Sequence, residues 1–211
     1  MPEGDSVFVL ARRLDRALVG RRISRSDLRH PEVATVDLSD RTVLGHATHG
    51  KHPLTRFSEG VTLHTHLRMQ GSWAVVGAGK RLPSRLMGDV RVVLATDAGP
   101  TAYGVLLPVV EVLPTAREHD VVGHLGPDPL RDDWDLAKAV RRLSQDGSRA
   151  LAAALLDQRL VAGLGNLWVN ELCFLRGHSP WTPVATSTSR RCSGWGPVPC
   201  GRRRTTPPPS R

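Results

Sequence analysis

Pro2, Glu3, Gly4 and Asp5 open the chain. With Met1 removed, Pro2 presents a secondary amine beside the Glu3 carboxylate. Such an amine attacks an electrophilic carbon to form an iminium, and the carboxylate can move the protons that the step needs. Taken alone, the same residues also describe a helix-starting proline. Three further stretches carry chemistry. Lys51 lies in His49-Gly50-Lys51-His52, predicted at a hairpin or strand end, where a compact ammonium suits a phosphate. Arg68, Met69 and Gln70 lie in His66–Trp73. Gly163, Gly165 and Asn166 close the run Leu155–Asn166, with Glu171 following. The two glycines allow a backbone to approach an anion closely. Asn166 is expected at a helix start, where amides and dipole favour negative charge, although an ordinary glycine turn with an asparagine cap fits the same residues. His64 and His66 alternate along a strand and could be metal ligands, but no third ligand lies nearby, so no metal is assigned to them.

Elements must position these residues. Val7, Leu10, Leu14 and Leu18 predict a helix over 6–19 capped by Ser6 and closed by Gly20. From about 22 to 113 the pattern is strand-like, in the runs VATVDL, TVLGHATHG, VTLHTHLRM, SWAVVG, VRVVLAT and YGVLLPVVEVL. One helix and six β-rich runs suggest a β-sandwich or barrel with a helix packed on it. Residues 114–131 read as a linker. Helices are predicted over 134–143, 148–156 and 166–175, the last ending at Gly177. The fold class is therefore α+β: a β-sandwich domain over 1–113, the linker over 114–131 and a helical domain over 132–184.

The 211 residues, 40% of them hydrophobic, suffice for a real core. No apolar run reaches the roughly 18 residues of a membrane span, and no signal peptide is evident. Three cysteines, Cys173, Cys192 and Cys200, make no disulfide framework and fit a reducing cytoplasm. The net charge of +9 favours a polyanionic partner. Residues 185–211 hold six arginines and no carboxylate, leaving +3 for the rest. Arg12, Arg13, Arg16, Arg21, Arg22, Arg25 and Arg29 concentrate basic charge early in the chain, which a solvated helix face would also explain. Residues 185–211, rich in Ser, Thr, Arg, Pro and Gly, are expected to form a disordered tail. The abrupt change near Val184 resembles a frameshift junction.

Taken in order, the four stretches resemble the bifunctional DNA glycosylases that include formamidopyrimidine-DNA glycosylase and endonuclease VIII. Leu125-Gly126-Pro127-Asp128-Pro129-Leu130 is similar to that family's interdomain segment, and the resemblance covers residues 2–184. It implies a β-sandwich followed by a helix–two-turn–helix domain, and activity on oxidised bases and abasic sites in double-stranded DNA. It makes Pro2 the nucleophile toward C1′, with strand cleavage by elimination. The start of helix 6–19 and Lys51 would disfavour protonation of the amine, while Glu3 would oppose that effect and handle protons. Lys51 would contact a phosphate, as would Asn166. The Arg68–Gln70 stretch would enter the duplex, with Met69 as the wedge that fills the gap left by a flipped base; a core methionine is the alternative. His66 is read as orienting this loop and Glu171 as structural. The resemblance further implies a monomer in the bacterial cytoplasm at the nucleoid, with no membrane association.

The resemblance fails at the end of the chain. The family closes with two Cys-x-x-Cys pairs that hold a structural zinc, and this sequence has no such pair. No cofactor is needed for the chemistry, and no zinc is assigned. Pro-Glu-Gly-Asp resembles the endonuclease VIII branch and His-Leu-Arg-Met the other branch, so the lesion stays open, with oxidised pyrimidines expected. The alternative is a catalytically impaired DNA-binding relic. An RNA-binding helix–two-turn–helix module fits neither the N-terminal Pro-Glu nor the long β-rich half.

Overall fold

The computed structural model describes residues 2–97 and 99–189. The predicted tail from 190 onward, with Cys192 and Cys200, lies outside the described residues. Helix α1 spans Gly4–Leu18 and buries Val7, Ala11, Leu14 and Leu18 along one stripe. It starts two residues earlier than predicted, and Ser6 is not its cap. Glu3 holds the cap position. The Ser6 hydroxyl donates to the Glu3 carbonyl, and the Glu3 amide donates to that hydroxyl, both at 2.8 Å.

Eight strands form two antiparallel four-stranded sheets among the described residues. One has the order β1 (Ile23–Leu28), β6 (Val90–Thr96), β7 (Thr101–Val105), β5 (Ser72–Val76). The other has the order β2 (Val43–His49), β3 (His52–Phe57), β4 (Val61–His66), β8 (Val109–Pro114). Their inner faces and α1 share one core, which includes Leu14, Leu18, Ile23, Phe57, Leu63 and Leu94. The β-sandwich with a packed helix is thus the observed architecture, and with the helical half it makes the class α+β.

Three sequence expectations differ from the structure. VATVDL is not a strand: Val33 and Leu38 are buried, but 31–35 turn and 36–38 lie outside any strand. Side chains replace the ladder here. The Leu38 amide donates to Ser26 Oγ, the Ser39 amide to Asp37 Oδ1 and the Ser26 amide to Ser39 Oγ. YGVLLPVVEVL splits into β7 and β8, which lie in different sheets. Pro108 in the break has no amide to donate, and Leu106 takes φ 51°. Strands β1 and β3 escaped the pattern search. Edge strand β1 is mostly polar, and β3 carries Pro53 and Arg56 amid its apolar positions.

The linker stretch 114–131 contains helix α2 (Glu118–Val122) and buries Leu125, Gly126 and Asp128. Arg56 donates twice to the Glu118 carboxylate, at 2.8 and 2.7 Å, so α2 is fastened to the sandwich. Helices α3 (Leu136–Leu143), α4 (Leu151–Leu156), α5 (Asn166–Leu175) and α6 (Val184–Ser189) follow. Asp135 caps α3 by accepting from the Lys138 amide at 2.8 Å. Leu155, Val169 and Cys173 form the second core, joined by Leu143, Leu151 and Leu164. Residues 185–189, expected in the tail, are helical, and Val184 is buried beside α4.

Leu14 is 1% exposed at the centre of the sandwich core. Leu14→Ala should lower unfolding free energy by about 2–5 kcal/mol, read as a lower urea midpoint at unchanged slope. A loss well under 1 kcal/mol would mean that α1 is not part of that core.

Candidate active site

Pro2 is half-buried and precedes Glu3, which is 3% exposed. Glu3 does not stay with its own helix. Its carboxylate accepts from the amides of Gly165 (3.0 Å), Leu167 (2.7 Å) and Trp168 (3.3 Å) at the start of α5. These are amides that the first helical turn leaves without intrahelical partners, and the helix dipole adds to the attraction. Gly165 is required by this contact, because a Cβ there would run into the Glu3 carboxylate. One residue further on, the Gly4 amide donates to the Gly163 carbonyl at 2.9 Å. A Cβ on Gly4 would lie 2.9 Å from Gly163 Cα, and Gly163 itself takes φ 94°. The chain start is therefore clamped to the 163–168 segment by four hydrogen bonds.

Lys51 lies at the turn between β2 and β3 and is half-buried. Burial pushes its ammonium below the usual lysine range, and the nearby Glu3 carboxylate partly opposes that. Pro2, Glu3, Lys51, Gly163 and Gly165 thus gather at one junction of the two halves. Asn166 is the first residue of α5; it is exposed, and its side-chain and backbone oxygens accept from Asn170.

Arg68, Met69 and Gln70 are exposed between β4 and β5. Met69 is 66% exposed, which excludes the core-methionine alternative. Arg68 takes a left-handed φ of 46°, and its amide donates to His66 Nδ1 at 3.0 Å. The Gly71 amide closes the loop onto the Leu67 carbonyl at 2.8 Å. Glu171 is exposed on α5.

Three groups at this face were not legible in the sequence. Strand pairing sets His66 opposite Val109 and Ser72 opposite Val105, so the β4–β5 and β7–β8 crossovers run side by side. Leu106, 37% exposed, therefore joins Met69 at the same end of the sandwich. Pro108 is the only sequence signal of that break. Asp128 and Gln158 form the second group. Asp128 Oδ2 accepts from the Gly50 amide at 2.7 Å and Oδ1 from the Leu130 amide at 2.9 Å. Gln158 accepts from the Gly163 amide at 3.0 Å and donates to the Leu156 and Leu164 carbonyls at 2.8 and 2.9 Å. Both lie inside the quoted motifs, but their partners are distant in sequence or purely conformational.

The third group is a histidine array. His64 Nδ1 bonds Glu111 Oε2, and His64 Nε2 bonds His52 Nδ1, both at 2.8 Å. His52 also stands edge-on to His66, with ring centroids 4.7 Å apart. Burial first, then neighbouring histidines, push His52 down to about 3; burial, His64, Arg68 and Lys51 push His66 down to about 4. Both nitrogens of His64 are committed to Glu111 and His52, so it has no lone pair left for a metal. Among the described residues no cluster of histidine, cysteine or carboxylate side chains is arranged to hold a metal ion. Cys173 is buried, and burial pushes its thiol up, away from the thiolate a zinc site requires. The described residues do not fit the zinc that the resemblance implies.

Residues 1–104 match the family model of the formamidopyrimidine-DNA glycosylase N-terminal domain, and residues 125–194 that of the formamidopyrimidine-DNA glycosylase H2TH domain. A probable endonuclease 8 2 of Streptomyces coelicolor is 52% identical over 193 residues, covering 92% of this chain and 70% of the relative. A DNA-(apurinic or apyrimidinic site) lyase of Mycolicibacterium smegmatis is 45% identical, covering 88% of this chain and 71% of the relative. Among solved structures, Lactococcus lactis formamidopyrimidine-DNA glycosylase bound to abasic-site DNA matches with TM-score 0.71 over 87% of this chain and 70% of that one. At 22% identity that match speaks for the fold alone.

Two outcomes follow from this geometry. Glu3→Gln should cost about 1–3 kcal/mol of stability, since the amide has one acceptor oxygen for three donors and turns an N–H toward the helix start; urea unfolding with no loss would show that the clamp contributes nothing. The histidine array sets an acid limit. His52 and His66 are neutral when folded and titrate near the usual 6.5 when unfolded, so the unfolded chain binds more protons below that pH. Stability should be flat above about pH 7 and begin to fall below about pH 6.5, with the loss between about pH 6.5 and 5.5 lying above most carboxylate titration. A urea midpoint that stays constant down to about pH 5.5 would contradict the neutrality of His52 and His66.

Proposed function

The chain belongs to the formamidopyrimidine-DNA glycosylase family, and from that premise we propose that it is a bifunctional DNA glycosylase and abasic-site lyase of the endonuclease 8 kind. Pro2 is its nucleophile, and duplex DNA carrying oxidised pyrimidines or abasic sites is its substrate. The observation that carries this reading is the clamp that ties the first residues to the start of α5 beside Lys51. It fixes an N-terminal amine at the junction of two halves, where a flexible terminus would otherwise be expected.

The Pro2 nitrogen attacks C1′ of the damaged nucleotide. The bond from C1′ to the base breaks, and the base leaves with the bonding pair and takes up a proton. Opening of the sugar gives an iminium between Pro2 and C1′. Its positive charge acidifies C2′, and loss of that proton expels the 3′ phosphate; a second elimination expels the 5′ phosphate. Water then hydrolyses the iminium and frees Pro2. Glu3 Oε2 takes two of the α5 amides and Oε1 takes one, so Oε1 keeps a lone pair through which the carboxylate can pass protons at the sugar. Lys51 meets a phosphate next to the lesion. Burial raises the cost of its charge, which a phosphate would offset. Arg68, Met69 and Gln70 enter the duplex, Met69 filling the gap. Gly163, Gly165 and Asn166 approach the backbone phosphates. No step uses a metal.

Borohydride trapping tests this reading, because reduction turns the iminium into a stable bond. The chain with Met1 removed should cross-link to a duplex with one abasic site. A version with two residues added ahead of Pro2 has an amide there instead of an amine and should not. A cross-link that persists in the extended chain would move the nucleophile elsewhere. A folded chain that never cross-links would favour a DNA-binding relic.

A further inference from the structure

Helix α5 is apolar on both sides. Val169 and Cys173 face the second core, where they meet Leu155 of α4. On the opposite side stand Leu167, Glu171, Phe174 and Leu175, whose spacings of three, four and seven residues put them on one face. Leu167 is 61% exposed, Phe174 80% and Leu175 70%. The exposed faces of α1 and α3 carry Arg12, Arg13, Arg16, Lys138 and Arg141 instead. A helix that is apolar all round is normally covered all round, and the described residues cover one side of α5. Just past its end, Trp181 is 82% exposed. The turn that carries it is fastened, because the Ala152 amide donates to the Pro180 carbonyl at 3.0 Å and the Leu151 amide to the Thr182 carbonyl at 2.9 Å.

At roughly 150–250 Å² for an aromatic side chain, Phe174 and Trp181 bare on the order of 300 Å². Leu167, Leu175 and the partly exposed Trp168 raise the apolar area to the order of 500 Å². A stable protein pair buries about 800 Å² per partner, a little over half of it apolar. The patch thus has the size of one side of such an interface. A second copy can supply the other side, because a two-fold axis makes one patch its own complement. Charge sets the register. A two-fold midway between Leu167 and Phe174 would press the two Glu171 carboxylates together. A two-fold at Phe174 puts an aromatic anchor at the centre, where such anchors usually lie, and moves the carboxylates to either side of the contact.

We infer that the chain pairs with a second copy of itself through the outer face of α5, antiparallel about a two-fold at Phe174, with Leu167, Leu175 and Trp181 around that contact. The chain in solution is then a homodimer rather than the monomer that the resemblance implies. Pairing requires nothing of the Pro2 chemistry.

Sedimentation velocity of the full chain, from about 1 to about 100 µM, spans the weak end of affinities for interfaces of this size. It should show a monomer–dimer equilibrium, with dimer predominant at the upper end. Phe174→Glu and Phe174→Lys each set like charges across the two-fold and should weaken pairing at least tenfold. Both change an exposed side chain and should leave the fold intact, which circular dichroism checks. An equimolar mixture of the two variants should recover the dimer, because opposite charges then meet across the axis. Trp181→Ser, outside the helix, should also weaken pairing. A chain still monomeric at about 100 µM has another cover for α5, its own residues beyond 189 or a different protein, and overturns the pairing. So does a dimer that both Phe174 variants leave intact, or a mixture that stays monomeric. If the Phe174 variants do not fold, amide exchange of the unaltered chain decides: protection gained with concentration over 167–175 supports the contact, and protection gained elsewhere or not at all overturns it. Trapping through Pro2 is read separately, so failure of either result leaves the other standing.

Discussion

The Glu3 carboxylate set into the first turn of α5 is the constraint on which the rest of the site depends. A buried carboxylate is costly unless its charge is met, and here three amides and a helix dipole meet it. Residues some 160 positions apart in the sequence thereby become neighbours. The Ser6 hydroxyl meanwhile bonds the Glu3 backbone at the start of α1, while the Glu3 side chain reaches the other half. The position of Pro2 is thus a consequence of how the two halves dock.

A second joint keeps that docking in register. Asp128 reaches the Gly50 amide next to Lys51, while His49 Nε2 bonds the Gly126 carbonyl at 2.9 Å. The Ala162 amide donates to Pro127 and the Gly126 amide to Gln158. Arg142 of α3 donates to the carbonyls of Leu125 and Arg159. The segment that connects the halves therefore also bonds both of them. Lys51 at one hairpin tip and Gly163 at one loop end are aligned by the same few residues of the connecting segment.

What the sequence made legible follows from where the information lies. Helical spacing identified α1 and α5, because Val7, Leu14, Leu18, Val169 and Cys173 face cores that select them by period. Pro2, Lys51 and the Gly163–Asn166 stretch were visible because each motif is short and its chemistry local. The purpose of Glu3 was not, since its partners are backbone amides that no residue type advertises. The same holds for Asp128 and Gln158. β3 was missed because Pro53 breaks the pattern of an otherwise buried strand, and 33–38 was misread because serine and aspartate side chains satisfied amides that a ladder would have used. The histidines were visible individually. Their array was not, because it joins β3, β4 and β8 across a sheet whose order the sequence does not state.

That array also resolves an electrostatic problem. Two cations, Lys51 and Arg68, both lie close enough to His66 to oppose a charge on its ring. A charged imidazole there would repel both, and its Nδ1 could no longer accept from Arg68. Burial and neighbouring charges keep His52 and His66 neutral, so these two rings add no charge beside the cations. Glu111, the acid that orders the chain of rings, contacts it at the far end, on β8. A carboxylate placed directly beneath Lys51 and Arg68 would neutralise them and weaken a polyanion's attraction. Relayed through two imidazoles, the carboxylate fixes tautomers and ring positions near the cations while its charge stays apart from them. Glu3, whose oxygens accept from the amides of α5, also lies near Lys51 and partly offsets the effect of burial on its ammonium.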